Sequence, residues 1–386
     1  MVGICVKYFH RNYGGMLQSY ATTVVMEEQG IEYELIRYQK ERNLREVVRG
    51  VPRLFNGILL NDKYEILLKK IGMRKHPDVA RKDTVRGQRF DRFSEEHFTK
   101  LSPVFAGFDR LREGAARYDA VITGSDQLWS PAGLPTNYYN LMFVPENIRK
   151  ISYASSFGVK DIPWYQKKRT AAFLKRIEYI SMREGRGTEI VKELTGRDVQ
   201  TILDPVFMLD QKKWEEKIPV KTEIPEPYIF AYFLGANPQH RKAVKQAAKE
   251  LNCKIVTLPH MDQFVSADEN FGDYALYDVG PEEFLNLLRG AAYVCTDSYH
   301  GACFSIIHKK KFVIFNRYDD RVKHSKNSRI DTLCENFGVY DRRFETTGSL
   351  ASQLCKEMDY PAIEQRVSAQ RKLAQAYLET ALAGIG

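Results

Sequence analysis

Signatures of metal and disulfide chemistry are missing from this sequence. Its six cysteines, Cys5, Cys253, Cys295, Cys303, Cys334 and Cys355, are scattered without a CxxC pair or a histidine at metal-ligand spacing. No metal is therefore expected, and cysteines inside apolar runs read as small hydrophobes. Long apolar stretches are missing too: nothing approaches the run of about 20 apolar residues that a membrane-crossing helix needs. Met1 leads directly into Val2-Gly3-Ile4-Cys5-Val6, with neither a basic segment nor a cleavable apolar one, so a cytoplasmic protein is expected. Repeats and low-complexity tracts are absent as well, which argues against solenoids and against disorder.

The chain has 386 residues, more than one hydrophobic core of roughly 250–300 residues supports, so two domains are expected. The formal charge of +9 is unevenly spread. Between residues 40 and 100 the cations include Arg42, Arg45, Arg49, Arg53, Lys69, Lys70, Arg74, Lys75, Arg81, Lys82, Arg86, Arg89 and Arg92, and acids are sparser. Such a block concentrates anionic partners. Within it, segment 44–68 interleaves cations with Val47, Val48, Leu54, Phe55, Ile58, Leu59, Leu60, Ile66, Leu67 and Leu68. It is a candidate for peripheral contact with an acidic membrane; the plainer alternative is helices packed on the first domain with a solvated basic face.

Short apolar runs alternate with helical patterns along most of the chain, which predicts parallel sheets covered by helices on both faces. Strands are expected at 2–8, 33–38, 119–123, 151–154, 179–182 and 199–203, then at 228–233, 254–258, 292–296 and 312–315. The prolines from Pro205 to Pro227 mark a boundary. The expected organisation is an N-terminal Rossmann-like lobe over 1–205 carrying a basic helical insertion at 40–100, a second Rossmann-like lobe over 206–361, and a C-terminal helix over 362–386 that packs back on the first lobe. Ligands of such sheets bind at the carboxyl ends of strands, so the cleft between the lobes should hold the site.

Three strand-to-helix turns carry polar or small residues at those ends. The first is Asn12-Tyr13-Gly14-Gly15 with Gln18, where paired glycines allow close backbone approach at a helix N-terminus. The second is Gly124-Ser125-Asp126-Gln127-Leu128-Trp129, polar groups beside an indole, suited to sugar hydroxyls and a sugar face; the alternative is an N-cap with Trp129 filling core. The third is Thr296-Asp297-Ser298-Tyr299-His300-Gly301, which places His300 at a helix start, able to move a proton near neutral pH. Arg183, Arg321 and Arg329 are the candidate phosphate or carboxylate ligands, because guanidinium binds such anions through two charge-assisted bonds.

Taken in order, these motifs together with Ser181-Met182-Arg183-Glu184, Asp204-Pro205 and Asn327-Ser328-Arg329 resemble the polysaccharide pyruvyl transferase family over residues 10–335. The resemblance implies a glycosyltransferase-B-like fold and transfer of an enolpyruvyl group from phosphoenolpyruvate to two hydroxyls of a sugar, forming a pyruvate ketal and releasing phosphate. It implies no tightly bound cofactor, no nucleic-acid partner, and an acceptor that in many relatives is lipid-linked at the inner face of the membrane. By position it assigns His300 as general acid or base and Arg183 and Arg321 as donor clamps. Arg329, Ser298, Tyr299 and Gly301 fall on the donor side. Asp126 would orient or deprotonate an acceptor hydroxyl, and Asn12, Tyr13, Gly14, Gly15, Gln18, Ser125, Gln127 and Trp129 would line the acceptor side. Many relatives carry Arg where this chain has Ser298, and Lys where it has Arg321. Two other readings share the two-lobed shape: a nucleotide-sugar glycosyltransferase using Glu282 or Glu283 on a ribose, and a non-catalytic protein that binds anionic polymer through the basic block.

Overall fold

The computed structural model describes residues 1–41, 56–133, 136–222, 224–260, 263–317 and 328–385. Apolar runs with no polar face are accommodated when helices cover both sides of a parallel sheet, and this chain makes two such sheets. The first contains β1 (Val2–Cys5), β2 (Tyr33–Gln39), β3 (Leu101–Ala106), β4 (Ala120–Thr123), β5 (Arg149–Ser155), β6 (Tyr179–Met182) and β7 (Gln200–Thr201). Its order is β3-β2-β1-β4-β5-β6-β7, every pair parallel. The second contains β8 (Tyr228–Tyr232), β9 (Lys254–Thr257), β10 (Tyr274–Ala275), β11 (Tyr293–Thr296) and β12 (Lys311–Ile314) in the order β10-β9-β8-β11-β12, again all parallel.

Among the described residues the helices are α1 (Tyr13–Glu28), α2 (Gly57–Arg74), α3 (Pro77–His97), α4 (Phe108–Ala115), α5 (Trp164–Arg176), α6 (Gly185–Thr195), α7 (Gln211–Lys217), α8 (Pro238–Glu250), α9 (Pro281–Gly290), α10 (Tyr299–Ile307), α11 (Ser328–Phe337), α12 (Leu350–Cys355) and α13 (Tyr360–Leu382). The sequence pattern gives no strand at 101–106, yet β3 forms there. Pro103 cannot donate to a ladder, and it is tolerated because β3 is the edge of its sheet. In both sheets the chain runs outward from its first strand and then returns to that strand's other side. The order therefore reverses between β1 and β4 and again between β8 and β11, the two places where such sheets open a crevice.

The lobes share one continuous core. Tyr13 at the start of α1 stacks on Phe284 of α9 with ring centroids 4.7 Å apart, and packs against Phe90 of α3 and Tyr232 of β8. α13 leaves the second lobe and returns to the first sheet, where the Tyr377 hydroxyl donates to the Ser152 carbonyl at 2.7 Å. Arg149 donates back to the carbonyls of Ala381 and Ala383 at the helix end.

Part of the basic block has a structural use. On α3, Arg86 is buried and donates to the carbonyls of Pro259, Leu276 and Tyr277 at 2.9, 2.8 and 3.3 Å, all in the second lobe. Arg89 pairs with Asp278 and Glu283, and Arg92 with Glu282 and Glu283. These cations, expected to face an anionic partner, are turned on the other lobe instead. Residues 42–55, which include Arg42, Arg45, Arg49 and Arg53 and much of segment 44–68, lie outside the described residues. No described helix is long and apolar enough to cross a membrane.

Replacing Arg86 by Ala strands one buried and two partly buried carbonyls that a charged donor now satisfies. The variant should lose about 2–4 kcal/mol of stability, and Arg86→Lys should recover part of it; thermal unfolding at matched protein concentration checks both.

Candidate functional site

The carboxyl ends of β1 and β4 in the first sheet face those of β8 and β11 in the second, and the turns leaving them meet. Ser298 closes β11 and caps α10, its hydroxyl accepting from the Gly301 N–H at 3.3 Å, which sets Tyr299 and His300 in the helix's first turn. Asp297 beside it accepts from the N–H groups of Leu234 and Gly235 at 2.7 and 2.8 Å, tying this turn to the one after β8. Opposite lies the start of α1, capped by Asn12, whose side chain accepts from the Gly15 N–H at 2.8 Å. A Cβ on Gly14 would fall 2.1 Å from His300 Nδ1. The imidazole occupies the space that glycine leaves, and any other residue there displaces it.

The other imidazole nitrogen, Nε2, lies 3.4 Å from Asp204 Oδ2, in ion-pair range but not aligned as a hydrogen bond. Asp204 is fully buried. The same Oδ2 accepts from Arg183 Nη1 at 2.9 Å and lies 3.1 Å from the Ser125 hydroxyl, while Oδ1 accepts from the Val206 N–H. Burial alone would raise this carboxyl, but His300 and Arg183 outweigh it and hold it below the usual carboxylate range.

Arg183, at the end of β6, reaches Asp126 Oδ1 with its other Nη at 3.4 Å. Asp126 adopts φ of +74°, a turn conformation that aspartate tolerates, and its second oxygen lies 3.8 Å from Lys7 Nζ. Burial works to raise Asp126, yet Lys7, Arg183, His300 and Arg329 together hold it well below the usual range. It is a carboxylate at every working pH. Arg183 and Arg329 both lie over the Tyr299 ring, at 4.6 and 5.8 Å from its centroid. Burial and the neighbouring Arg183 push Arg329 down to about 10. The buried Nε of each guanidinium has no hydrogen-bond partner among the described residues. Glu184, next in the chain, is buried with one oxygen accepting from the Ser156 hydroxyl; burial pushes its carboxyl up, against Arg183.

The structure thus brings together His300, Asp126, Arg183, Arg329, Tyr299, Ser125 and Gly14. Gln127 stands apart, folded over Gly158, where a Cβ would meet its Nε2 at 2.0 Å. Other candidates sit elsewhere or are already engaged. Trp129 is wholly buried against Phe157 and Phe173, its indole N–H donating to the Tyr139 carbonyl, so no ring face is open to a sugar. Tyr13 belongs to the seam between the lobes, and its hydroxyl donates to the Val279 carbonyl. Gln18 is buried in α1, donating to Thr22. The side chains of Asn12 and Ser298 serve as helix caps. Gly301 is packed on Thr296, where a Cβ would come within 2.6 Å of the hydroxyl. Arg321 lies outside the described residues. Glu282 and Glu283, the ribose candidates of the glycosyltransferase reading, are engaged by His97, Arg89 and Arg92, and Glu283 also accepts from the Gly280 N–H.

Four residues here were not singled out as site residues: Asp204, Lys7, Glu184 and Arg317, which donates to the Asp297 carbonyl at 3.0 Å. Asp204 had a signal, as the residue before Pro205 in a motif already noted. Glu184 likewise stood in the noted motif Ser181-Met182-Arg183-Glu184, whereas Lys7 and Arg317 become visible only once the turns meet.

A family model described as polysaccharide pyruvyl transferase matches residues 12–320. No curated protein matches the chain. Among solved structures, a Listeria monocytogenes protein described as a UDP-N-acetylglucosamine 2-epimerase is similar over 99% of this chain and 96% of its own, at 9% identity and a TM-score of 0.53. The Neisseria meningitidis UDP-GlcNAc 2-epimerase, solved with UDP-GlcNAc, covers 98% of this chain and 99% of its own at 10% identity and a TM-score of 0.47. At such identity the likeness of the first speaks for the fold alone: two Rossmann-like lobes of the glycosyltransferase-B type.

Because Ala is a better helix former than Gly, Gly14→Ala should leave α1 intact while pushing the His300 ring aside. Turnover that depends on His300 should then fall by about 100-fold, the usual effect of a displacement near 1 Å. Circular dichroism and a turnover assay separate the two effects.

Proposed function

The chain belongs to the polysaccharide pyruvyl transferase family, and we propose that it moves the enolpyruvyl group of phosphoenolpyruvate onto two hydroxyls of a sugar, forming a pyruvate ketal. The observation that carries this reading is the pair of guanidiniums, Arg183 and Arg329, over Tyr299 beside His300, each with a buried Nε that has no partner among the described residues. A small donor with one carboxylate and one phosphate needs such a convergence of cations, and it needs a proton donor within reach of the same place.

In the proposed reaction the methylene carbon of the donor takes a proton and the adjacent carbon becomes oxocarbenium-like. A first sugar hydroxyl adds to that carbon, the carbon–oxygen bond to phosphate breaks, and a second hydroxyl closes the ketal. Of the two hydroxyl protons, one balances that taken by the methyl group and the other leaves with phosphate. His300 delivers or relays the proton to carbon. Asp126, kept ionised by the surrounding cations, orients or deprotonates the attacking hydroxyl. Arg183 and Arg329 hold the donor's anionic groups and stabilise the charge that gathers on the departing phosphate.

A lipid-linked acceptor belongs to the same proposal. Leu60, Tyr64, Leu67, Leu68 and Ile71 of α2 recur at helical spacing and are all exposed, with exposed Lys63, Arg74 and Lys75 close by in sequence. An apolar stripe flanked by cations suits an anionic bilayer surface better than a second copy of the chain, which would oppose like charges.

Phosphate release from phosphoenolpyruvate, followed with galactose, mannose and N-acetylmannosamine acceptors, tests the chemistry. At least one acceptor should stimulate it, and His300→Ala should lower turnover by about 100-fold or more; near-normal turnover in that variant removes His300 from its role. For the surface, the triple change Tyr64→Ser, Leu67→Ser, Leu68→Ser should cut co-sedimentation with phosphatidylglycerol vesicles several-fold. Equal sedimentation of variant and parent would count against docking through α2.

A further inference from the structure

His300 is carried by the second lobe, yet the contacts that orient its ring come largely from the first. Gly14 closes one side, with Nδ1 in the space of the missing side chain. Asp204 lies 3.4 Å from Nε2. On its own helix the titratable groups are Tyr299, its ring set edge-on at 5.2 Å, and the buried Cys303, which faces Tyr299. Arg183 and Asp126 act from further off, joined to the same group through Asp204 and through each other. Asp204 itself cannot turn toward a substrate: it is fully buried and its oxygens are held by Arg183, Ser125 and the Val206 N–H.

We propose that Asp204 is a positioning residue, whose Oδ2 fixes the Nε2–H tautomer of His300 and at the same time anchors Arg183, so that the proton-transfer group and the donor clamp share one reference atom. A fixed carboxylate facing one imidazole nitrogen selects the tautomer with hydrogen on that nitrogen. Nδ1 is left as the nitrogen that carries the mobile proton, on the side where the start of α1 meets α10. This role rests on the proposed pyruvyl transfer only for what the proton is used for; the tautomer is a property of the free protein.

The experiment pairs nitrogen–proton correlation NMR of the imidazoles, with His300 identified by its loss in His300→Gln, with steady-state kinetics. At alkaline pH the parent should show His300 as the Nε2–H tautomer. Asp204→Asn, which keeps the shape but can offer N–H to Nε2, should shift it to Nδ1–H or a mixture. Its kcat should fall by about 100-fold or more, the scale expected of a misassigned tautomer, with KM for phosphoenolpyruvate changing far less, and Asp204→Glu should restore part of kcat. An Nδ1–H tautomer in the parent overturns the proposal without recourse to any variant, so a poorly folded Asp204→Asn protein does not shield it. Unchanged tautomer and turnover in a folded Asp204→Asn protein overturn it equally. If the parent releases no phosphate from phosphoenolpyruvate with any acceptor, the pyruvyl transfer reading fails, and the tautomer alone still decides the role of Asp204.

Discussion

One carboxylate oxygen, Oδ2 of Asp204, is the point on which the site depends. It receives Arg183 and Ser125 from the first lobe and faces His300 from the second. A charge with no access to water is tolerated only while its partners stay in place, and removing one partner of such a pair costs far more than the pair gains over an apolar substitute. The arrangement is therefore held as a unit. Arg183 is held between two carboxylates, Asp204 and Asp126, before any ligand arrives, which is the condition under which a fixed dipole or charge helps most in a reaction.

Much of this was legible in the sequence because the chemistry lies at strand ends. The turns after β1, β4 and β11 announce themselves as polar or glycine-containing breaks following apolar runs, and parallel sheets place such breaks on one side. Asp126, Arg183 and His300 stand out by such strand-end positions, and Arg329 by its place in Asn327-Ser328-Arg329. What could not be read was the direction each side chain takes. Trp129 shares its turn with Asp126, and Tyr13 opens a helix as His300 does, yet one fills a core and the other the seam between lobes. Nothing local distinguishes them, since their partners, Phe173 for Trp129 and Phe284 for Tyr13, lie far along the chain. Ser298, read as a donor-side residue, caps α10 in the structure; the residue type favours either use. Asp204 was noticed only as half of a dipeptide, because its partners lie 79 and 21 residues away.

The basic block illustrates how composition misleads when geometry is unknown. A surplus of Arg and Lys between residues 40 and 100 argued for an anionic partner, but Arg86, Arg89 and Arg92 meet carbonyls and carboxylates of the same molecule. Their worth differs. Arg86 is buried and satisfies buried and partly buried backbone acceptors, whereas Arg89 and Arg92 are partly exposed, and solvent-screened pairs of that kind contribute little to stability. They bear on how the lobes register against each other more than on whether they fold.

The path of α13 bears on the history of the molecule. Having completed the second sheet, the chain crosses back and ends against β5, with Tyr377 on the Ser152 carbonyl and Arg149 closing the helix terminus. Together with Tyr13 set into the second lobe, this makes each half incomplete without the other. An exchange of one half with a relative would have to bring along α1, α3 and α13 as well, so within this architecture a change of specificity disturbs less when made in the turns than when made by exchanging halves.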